Sequence, residues 1–213
     1  KKTGKLPTQT EIDSLLTFVG IAKVHLEDER VVKIDQRIQF DFSSIAKGLA
    51  CDEVAQMLAR NGVTNCMVEI GGEVVAKGVN EKGTPWHISI DMPVENNQAT
   101  VHESALVIPL NDKAVATSGN YRKFKDVNGK KVSHIVNPLT GKSEESTLLS
   151  ATIVAPDCMT ADAWATACMA MGTERTQALF EKRTDLGVMT ISTDTEGNFI
   201  VWSNAPFAAL LPK

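Results

Sequence analysis

Apolar residues along the chain switch between two periods. Ile12, Leu15, Leu16 and Val19 recur at helical spacing within residues 8–20, and Gly20 follows as a stop. Residues 43–61 (SSIAKGLACDEVAQMLARN) keep that period over a longer run, with a serine near the start and Gly62 beyond the end. TADAWATACMAM and ERTQALFEKRT predict two adjacent helices broken at Gly172. Between these lie short apolar or alternating runs that predict strands. VHL, VVKI and IQF surround the charged turn Glu27-Asp28-Glu29-Arg30, and TNCMVEI and EVVAKGV are joined by Gly71-Gly72. ALVIPL and AVATS come next, then a hairpin YRKFKDVNGKKVSHIV folded on Asn128-Gly129, then LLSATIVA, GVMTIST and NFIVWS. Residues 92–104 read as a surface loop. Strands outnumber helices, and hairpins alternate with helices without a fixed repeat. The pattern predicts an α+β (mixed α/β) fold with antiparallel-rich sheets, hairpins and packed helices, and not a βαβ array.

Composition narrows the class of function. The 213 residues carry 43% hydrophobic and 23% charged side chains, enough for a real core and too apolar for a disordered chain. A net charge of −4 supplies no electrostatic case for nucleic acid. No apolar run approaches the roughly 18 residues of a membrane span. Cys51, Cys66, Cys158 and Cys168 all fall in apolar contexts and read as buried thiols, not as a disulfide framework. The chain opens on Lys1 in a polar, Pro-containing stretch, from which we expect it to begin within a longer protein.

Common nucleotide and hydrolase motifs are missing. Gly141-Lys142-Ser143 looks like the end of a phosphate-binding loop, but Val136 stands where its first glycine belongs. There is no GxGxxG, HExxH, GxSxG or CxxC. Four other segments carry candidate chemistry. In Asp41-Phe42-Ser43-Ser44-Ile45-Ala46-Lys47-Gly48 a strand gives way to a helix, whose free N–H groups suit phosphate; alternatively Asp41 or Ser43 is a plain N-cap. Glu69-Ile70-Gly71-Gly72-Glu73 is a glycine pair between acids, and a hairpin turn accounts for it equally well. Ala116-Thr117-Ser118-Gly119-Asn120-Tyr121 is followed by Ser133-His134-Ile135-Val136-Asn137-Pro138, where His134 enters a loop and is placed for general-base work or for a structural role. Asp162 and Thr166, four apart on one helix, offer two hard oxygens on one face, a set suited to Mg²⁺; alternatively Asp162 only favours the helix dipole, as a near-surface acid.

Taken together and in order, D41FSSIAKGLACD52, E69IGGE73, A116TSGNY121, S133HIVNPLTG141 and T160ADAWATA167 closely resemble the ApbE family. These are the FAD:protein FMN transferases, once described as thiamine-biosynthesis lipoproteins. The resemblance spans nearly the whole chain and implies the C-terminal two-thirds of the family's domain, with residues 1–213 lacking its N-terminal segment. It departs from the family at Ser44, where Ala or Thr is usual, and at Asn137, where Asp is commoner.

The resemblance implies a Mg²⁺-dependent enzyme that cleaves FAD, attaches FMN to a threonine of an acceptor protein and releases AMP. It implies metal ligands at Ser44 (through its carbonyl), Asp162 and Thr166. FAD contacts are implied at Asp41, Lys47, His134 and Val136, with His134 as the base. Two alternatives stay open, a FAD pyrophosphatase giving FMN and AMP and a non-catalytic flavin-binding module. Partners implied are FAD and acceptor proteins such as subunits of redox-driven ion pumps, with no nucleic acid. The implied location is periplasmic, at the outer face of the bacterial inner membrane, with a lipid anchor on the full-length protein.

Overall fold

A computed structural model describes residues 7–91, 104–119, 124–127, 130–133, 135–143 and 146–212. In chain order its elements are α1 (Gln9–Leu16), a 3-10 turn (Ile21–Lys23), β1 (Val24–Glu27), β2 (Arg30–Lys33), α2 (Ala46–Arg60), β3 (Cys66–Ile70), β4 (Glu73–Lys77), β5 (Trp86–Asp91), β6 (Ser104–Leu110), β7 (Lys113–Gly119), β8 (Phe124–Val127), β9 (Lys130–Ser133), β10 (Leu148–Ala155), α3 (Cys158–Met171), α4 (Thr173–Phe180), β11 (Gly187–Thr193), β12 (Phe199–Ser203) and α5 (Ala205–Ala208). They divide into two units: residues 1–41 with 123–145, and residues 42–122 with 146–213.

The first unit holds α1, which opens on a capping box. The Thr8 side chain accepts from the Glu11 N–H while the Glu11 carboxylate accepts from the Thr8 N–H at 2.7 Å. β1 and β2 form a hairpin closed by Asp28 and Glu29, both in the left-handed region at φ 46° and 62°. IQF, expected as a strand, is instead irregular chain after a turn at Gln36 and Arg37. The Lys33 amine binds the carbonyls of Gln36 and Ile38, and Asp35 Oδ1 accepts from the Arg37 N–H, local bonds that compete with a strand ladder. β8 and β9 pair as the expected antiparallel hairpin, although its Asn128-Gly129 turn lies outside the described residues. In the following loop Asn137 Oδ1 accepts from the Leu139 N–H at 2.9 Å, and the Gly141 N–H donates to the Asn137 carbonyl at 2.8 Å. Asn supplies the same local turn bond that Asp would.

The second unit is built on a six-stranded antiparallel sheet in the order β12-β11-β10-β7-β4-β3. Alternate residues face opposite ways, so adjacent positions on β4 serve different cores. Val75 packs with Ala114, Cys51, Ala55 and Cys158 beneath α2 and α3. Val74 and Ala76 pack with Val115, Val154, Met189, Ile191 and Phe207, a core completed by Ile90, Ile108 and Leu110 of the β5–β6 hairpin. Covered on both faces, the central strands read as largely apolar runs with only small hydroxyl residues between, and LLSATIVA and GVMTIST match β10 and β11 end to end.

Two elements of this unit went unread in the sequence. β5 carries Trp86, Ile88 and Ile90 at period two, a strand signal interrupted by His87 and Ser89. α5 is only one turn, capped by Asn204, whose side chain accepts from the Val188 and Phe207 N–H groups and donates to the Leu186 carbonyl. Three of the four cysteines are fully buried, whereas Cys66 is half-buried; all four are free.

Candidate functional site

α2 and α3 lie against each other above the sheet, and each caps the other's first turn. The N-cap of α2 is Ile45, which makes no side-chain cap bond, so neither Asp41 nor Ser43 is its N-cap as the sequence allowed. The N–H of Gly48, one of the donors a helix start leaves free, is met by Asp162 Oδ2 of α3 at 3.0 Å. In return Asp52 of α2 accepts from the N–H groups of Cys158 and Met159 at 2.9 and 2.8 Å, and Asp157 accepts from Thr160 N–H at 2.8 Å. The first three donors of α3 are thereby satisfied by carboxylates.

Gly48 makes this approach possible. A Cβ there would lie 2.3 Å from the Cys158 carbonyl oxygen and 2.8 Å from Met159 Cα. These are backbone atoms that cannot turn aside, so only glycine lets the start of α2 reach the start of α3. Asp162 is therefore a buried residue, 2% exposed, and not the near-surface acid expected from its sequence.

Around Asp162 stand four further polar groups. Thr166, one turn on, brings its hydroxyl within 3.2 Å of Ser118 Oγ on β7. Lys47 precedes Gly48, and its amine is bonded to Glu73 Oε1 at the start of β4. Glu73 is itself buried, and its Oε2 has no hydrogen-bond partner among the described residues. Burial pushes the Glu73 carboxyl above the usual carboxylate range; Lys47 opposes this, and the charge of Asp162 adds to it. Burial raises Asp162 as well, against the Gly48 N–H and Lys47.

Two buried acids thus share one lysine, which leaves an excess of negative charge and an orphaned carboxylate oxygen. Every donor offered by Asp162, Thr166 and Ser118 is a hard oxygen. That chemistry fits a divalent cation of the Mg²⁺ kind, which takes few protein ligands and keeps water and phosphate around it.

The second unit accordingly gathers Lys47, Asp162 and Thr166 of the sequence-predicted residues, and Ser44 stands four residues before Gly48 in the turn entering α2. Asp41 ends the first unit, and Val136 sits on its loop, half-exposed. His134 lies outside the described residues, as do Asn120 and Tyr121 of the A-T-S-G-N-Y motif. Sequence reasoning assigned no role to Glu73, Ser118, Asp52 or Gly48. All four stand in segments it had singled out, but a single sequence does not show which segments touch.

An antiparallel sheet backed by two mutually capped helices, with paired acids, a lysine and hydroxyls at their junction, defines an α+β protein. The ApbE family model matches residues 1–190, and the chain belongs to the ApbE family. It is 37% identical to a FAD:protein FMN transferase of Vibrio cholerae over 98% of this chain and 60% of the relative. It is 36% identical to the enzyme of that name from Haemophilus influenzae, over 99% of this chain and 60% of the relative. The solved flavin transferase ApbE from Vibrio cholerae superposes with a TM-score of 0.84 at 36% identity, covering 99% of this chain and 65% of that one. The chain thus spans about three-fifths of the length of these curated relatives.

Proposed function

We propose that this protein is a Mg²⁺-dependent flavin transferase that moves FMN from FAD to a threonine hydroxyl of an acceptor protein. The bond between the FMN phosphorus and the bridging oxygen of the pyrophosphate breaks, a bond from that phosphorus to the threonine oxygen forms, and AMP leaves. The observation that carries this reading is the junction of Lys47, Glu73, Asp162 and Thr166 at the mutually capped ends of α2 and α3, in a chain related to enzymes named for this transfer.

Asp162, Thr166 and the Ser44 carbonyl would hold Mg²⁺, which when bound offsets charge on the pyrophosphate and on the departing AMP. Lys47 binds the phosphates, and Asp41 and Val136 keep the cofactor-contact roles that the family resemblance implies. His134 accepts the threonine proton as its oxygen attacks, a general-base role that an imidazole can fill. Acceptors among subunits of redox-driven ion pumps, and a lipid-anchored location on the outer face of the bacterial inner membrane, complete the reading.

The test incubates the protein with Mg²⁺ and FAD, with and without a threonine-containing acceptor, and follows AMP and covalent flavin. AMP and labelled acceptor appearing only together support transfer. AMP released equally without acceptor makes the protein a FAD pyrophosphatase, and FAD bound without AMP makes it a flavin-binding module. His134→Ala should slow transfer by roughly 10²- to 10⁴-fold with little change in FAD affinity.

A further inference from the structure

The Lys47–Glu73 pair is poorly explained as a device for stability. Glu73 is 2% exposed while the Lys47 side chain is 46% exposed, so a buried carboxylate is matched to a half-solvated amine. Lys47 also occupies the first turn of α2, where the helix dipole disfavours a cation. The surroundings nevertheless hold the amine where it is. Gly71, at φ 62° in the turn before β4, leaves open the space beside the lysine stem; a Cβ there would stand 3.3 Å from Lys47 Cδ and 3.7 Å from Glu73 Oε2. The Glu73 carbonyl is in turn held by the Cys51 thiol of α2 at 3.2 Å.

We propose that Glu73 is a positioning residue for flavin-nucleotide binding: it anchors the Lys47 amine at the N-terminal end of α2, facing a phosphate of the ligand, while Gly71 leaves room for the lysine stem. The E-I-G-G-E segment is then more than a hairpin turn. This rests on the reading of Lys47 as a phosphate contact. An unanchored lysine must surrender its rotamer freedom on binding; an anchored one has already done so.

The test measures the FAD Kd in the presence of Mg²⁺ by equilibrium dialysis, and the melting temperature, for Lys47→Met, Glu73→Gln, Gly71→Ala and the doubles that combine Lys47→Met with each of the other two. Lys47→Met should weaken FAD by roughly 10- to 100-fold, the effect of losing a bond to a charged group. Glu73→Gln should weaken it roughly 3- to 10-fold when Lys47 is present and have no effect when residue 47 is Met, because it acts only through the amine. The Lys47→Met/Glu73→Gln double should melt above Lys47→Met alone, since it removes a carboxylate left buried without its partner. Gly71→Ala, which leaves both charges in place, should repeat the lysine-dependent loss should Glu73→Gln fold poorly. An unchanged Kd for Lys47→Met overturns the phosphate reading of Lys47 and this proposal with it. Loss with Lys47→Met but unchanged or tighter binding with Glu73→Gln and Gly71→Ala, or losses that persist in the Met background, overturns this proposal alone.

Discussion

Asp162 and Asp52, which stand 110 residues apart in sequence, cap each other's helices: Asp162 of α3 accepts from the Gly48 N–H of α2, and Asp52 of α2 accepts from the Cys158 and Met159 N–H groups of α3. The exchange ties the two helix starts into one junction. It also explains why the two segments are rich in chemistry, since the group that shapes the junction is also the strongest candidate for a metal ligand.

Asp162 should therefore separate structure from charge when substituted. Asp162→Ala leaves the buried Gly48 N–H without an acceptor and should cost about 1–3 kcal/mol of stability. Asp162→Asn keeps an acceptor oxygen and removes a buried charge, so without divalent cation it should be as stable as the parent or more so. Both should lose Mg²⁺-dependent FAD turnover. Urea unfolding of the two variants beside turnover assays checks this; equal destabilisation by Ala and Asn would show that the charge, and not the cap, carries the stability.

Gly48→Ala tests the closeness of the helices. Its Cβ would meet backbone atoms of Cys158 and Met159, so α2 and α3 must separate. The expected loss is at the upper end of the roughly 1–3 kcal/mol usual for overpacking. It should exceed that of Asp52→Ala, for which about 1–2 kcal/mol is expected from the lost cap. Thermal unfolding of both variants gives the ranking, and a Gly48→Ala protein as stable as its parent would mean that the junction is looser than drawn.

Much of the fold was legible because its periods are clean. β10 and β11, buried on both faces, read as apolar runs broken only by small hydroxyl residues, while β5 was passed over although Trp86, Ile88 and Ile90 alternate. The burial of Asp162 had a signal too. CMTADAWATACMAM is apolar almost all the way round, the mark of a helix enclosed by its neighbours, and an acid within it is enclosed as well. The Lys47–Glu73 pairing had none, because a charge near a helix start and an acid after a glycine turn are each ordinary alone. The five ordered motifs identified the family; their contacts required the fold.

In the first unit, Arg37 makes two bonds to Asp35, at 3.0 and 2.8 Å, and lies over the Phe18 ring at 4.1 Å. The guanidinium, aided by the Arg37 backbone N–H, holds the Asp35 carboxyl down to about 2. A depressed folded value gives stability that is full above the ordinary aspartate value of ~3.9 and lost as pH falls through about 2. Carboxyl-carbon NMR should place the Asp35 midpoint near the lower figure, and Arg37→Met should return it toward the ordinary range. A midpoint unmoved by that substitution would remove Arg37 as the cause.

The last prediction couples the cation to pH through Asp162 and Glu73. Burial raises both carboxyls in the folded protein, and Asp162 raises Glu73 further by its charge. A raised acid favours folding most below the unfolded value of ~4, and that advantage is lost as pH rises through the folded value. Ionising either group in the folded protein therefore carries a cost, which Lys47 offsets in part. A divalent cation bound beside Asp162 offsets the remainder, so Mg²⁺ should raise the melting temperature at pH 7–8, by the equivalent of ~2.7 kcal/mol when present at about 100 times its Kd. The gain should shrink as pH falls, starting above the ordinary carboxylate range because both acids are raised, since protons compete for the same oxygens. Asp162→Asn should abolish it at every pH. Differential scanning calorimetry across pH, with and without Mg²⁺, reads all three effects, and a Mg²⁺ shift of equal size in parent and Asp162→Asn would place the cation elsewhere on the protein.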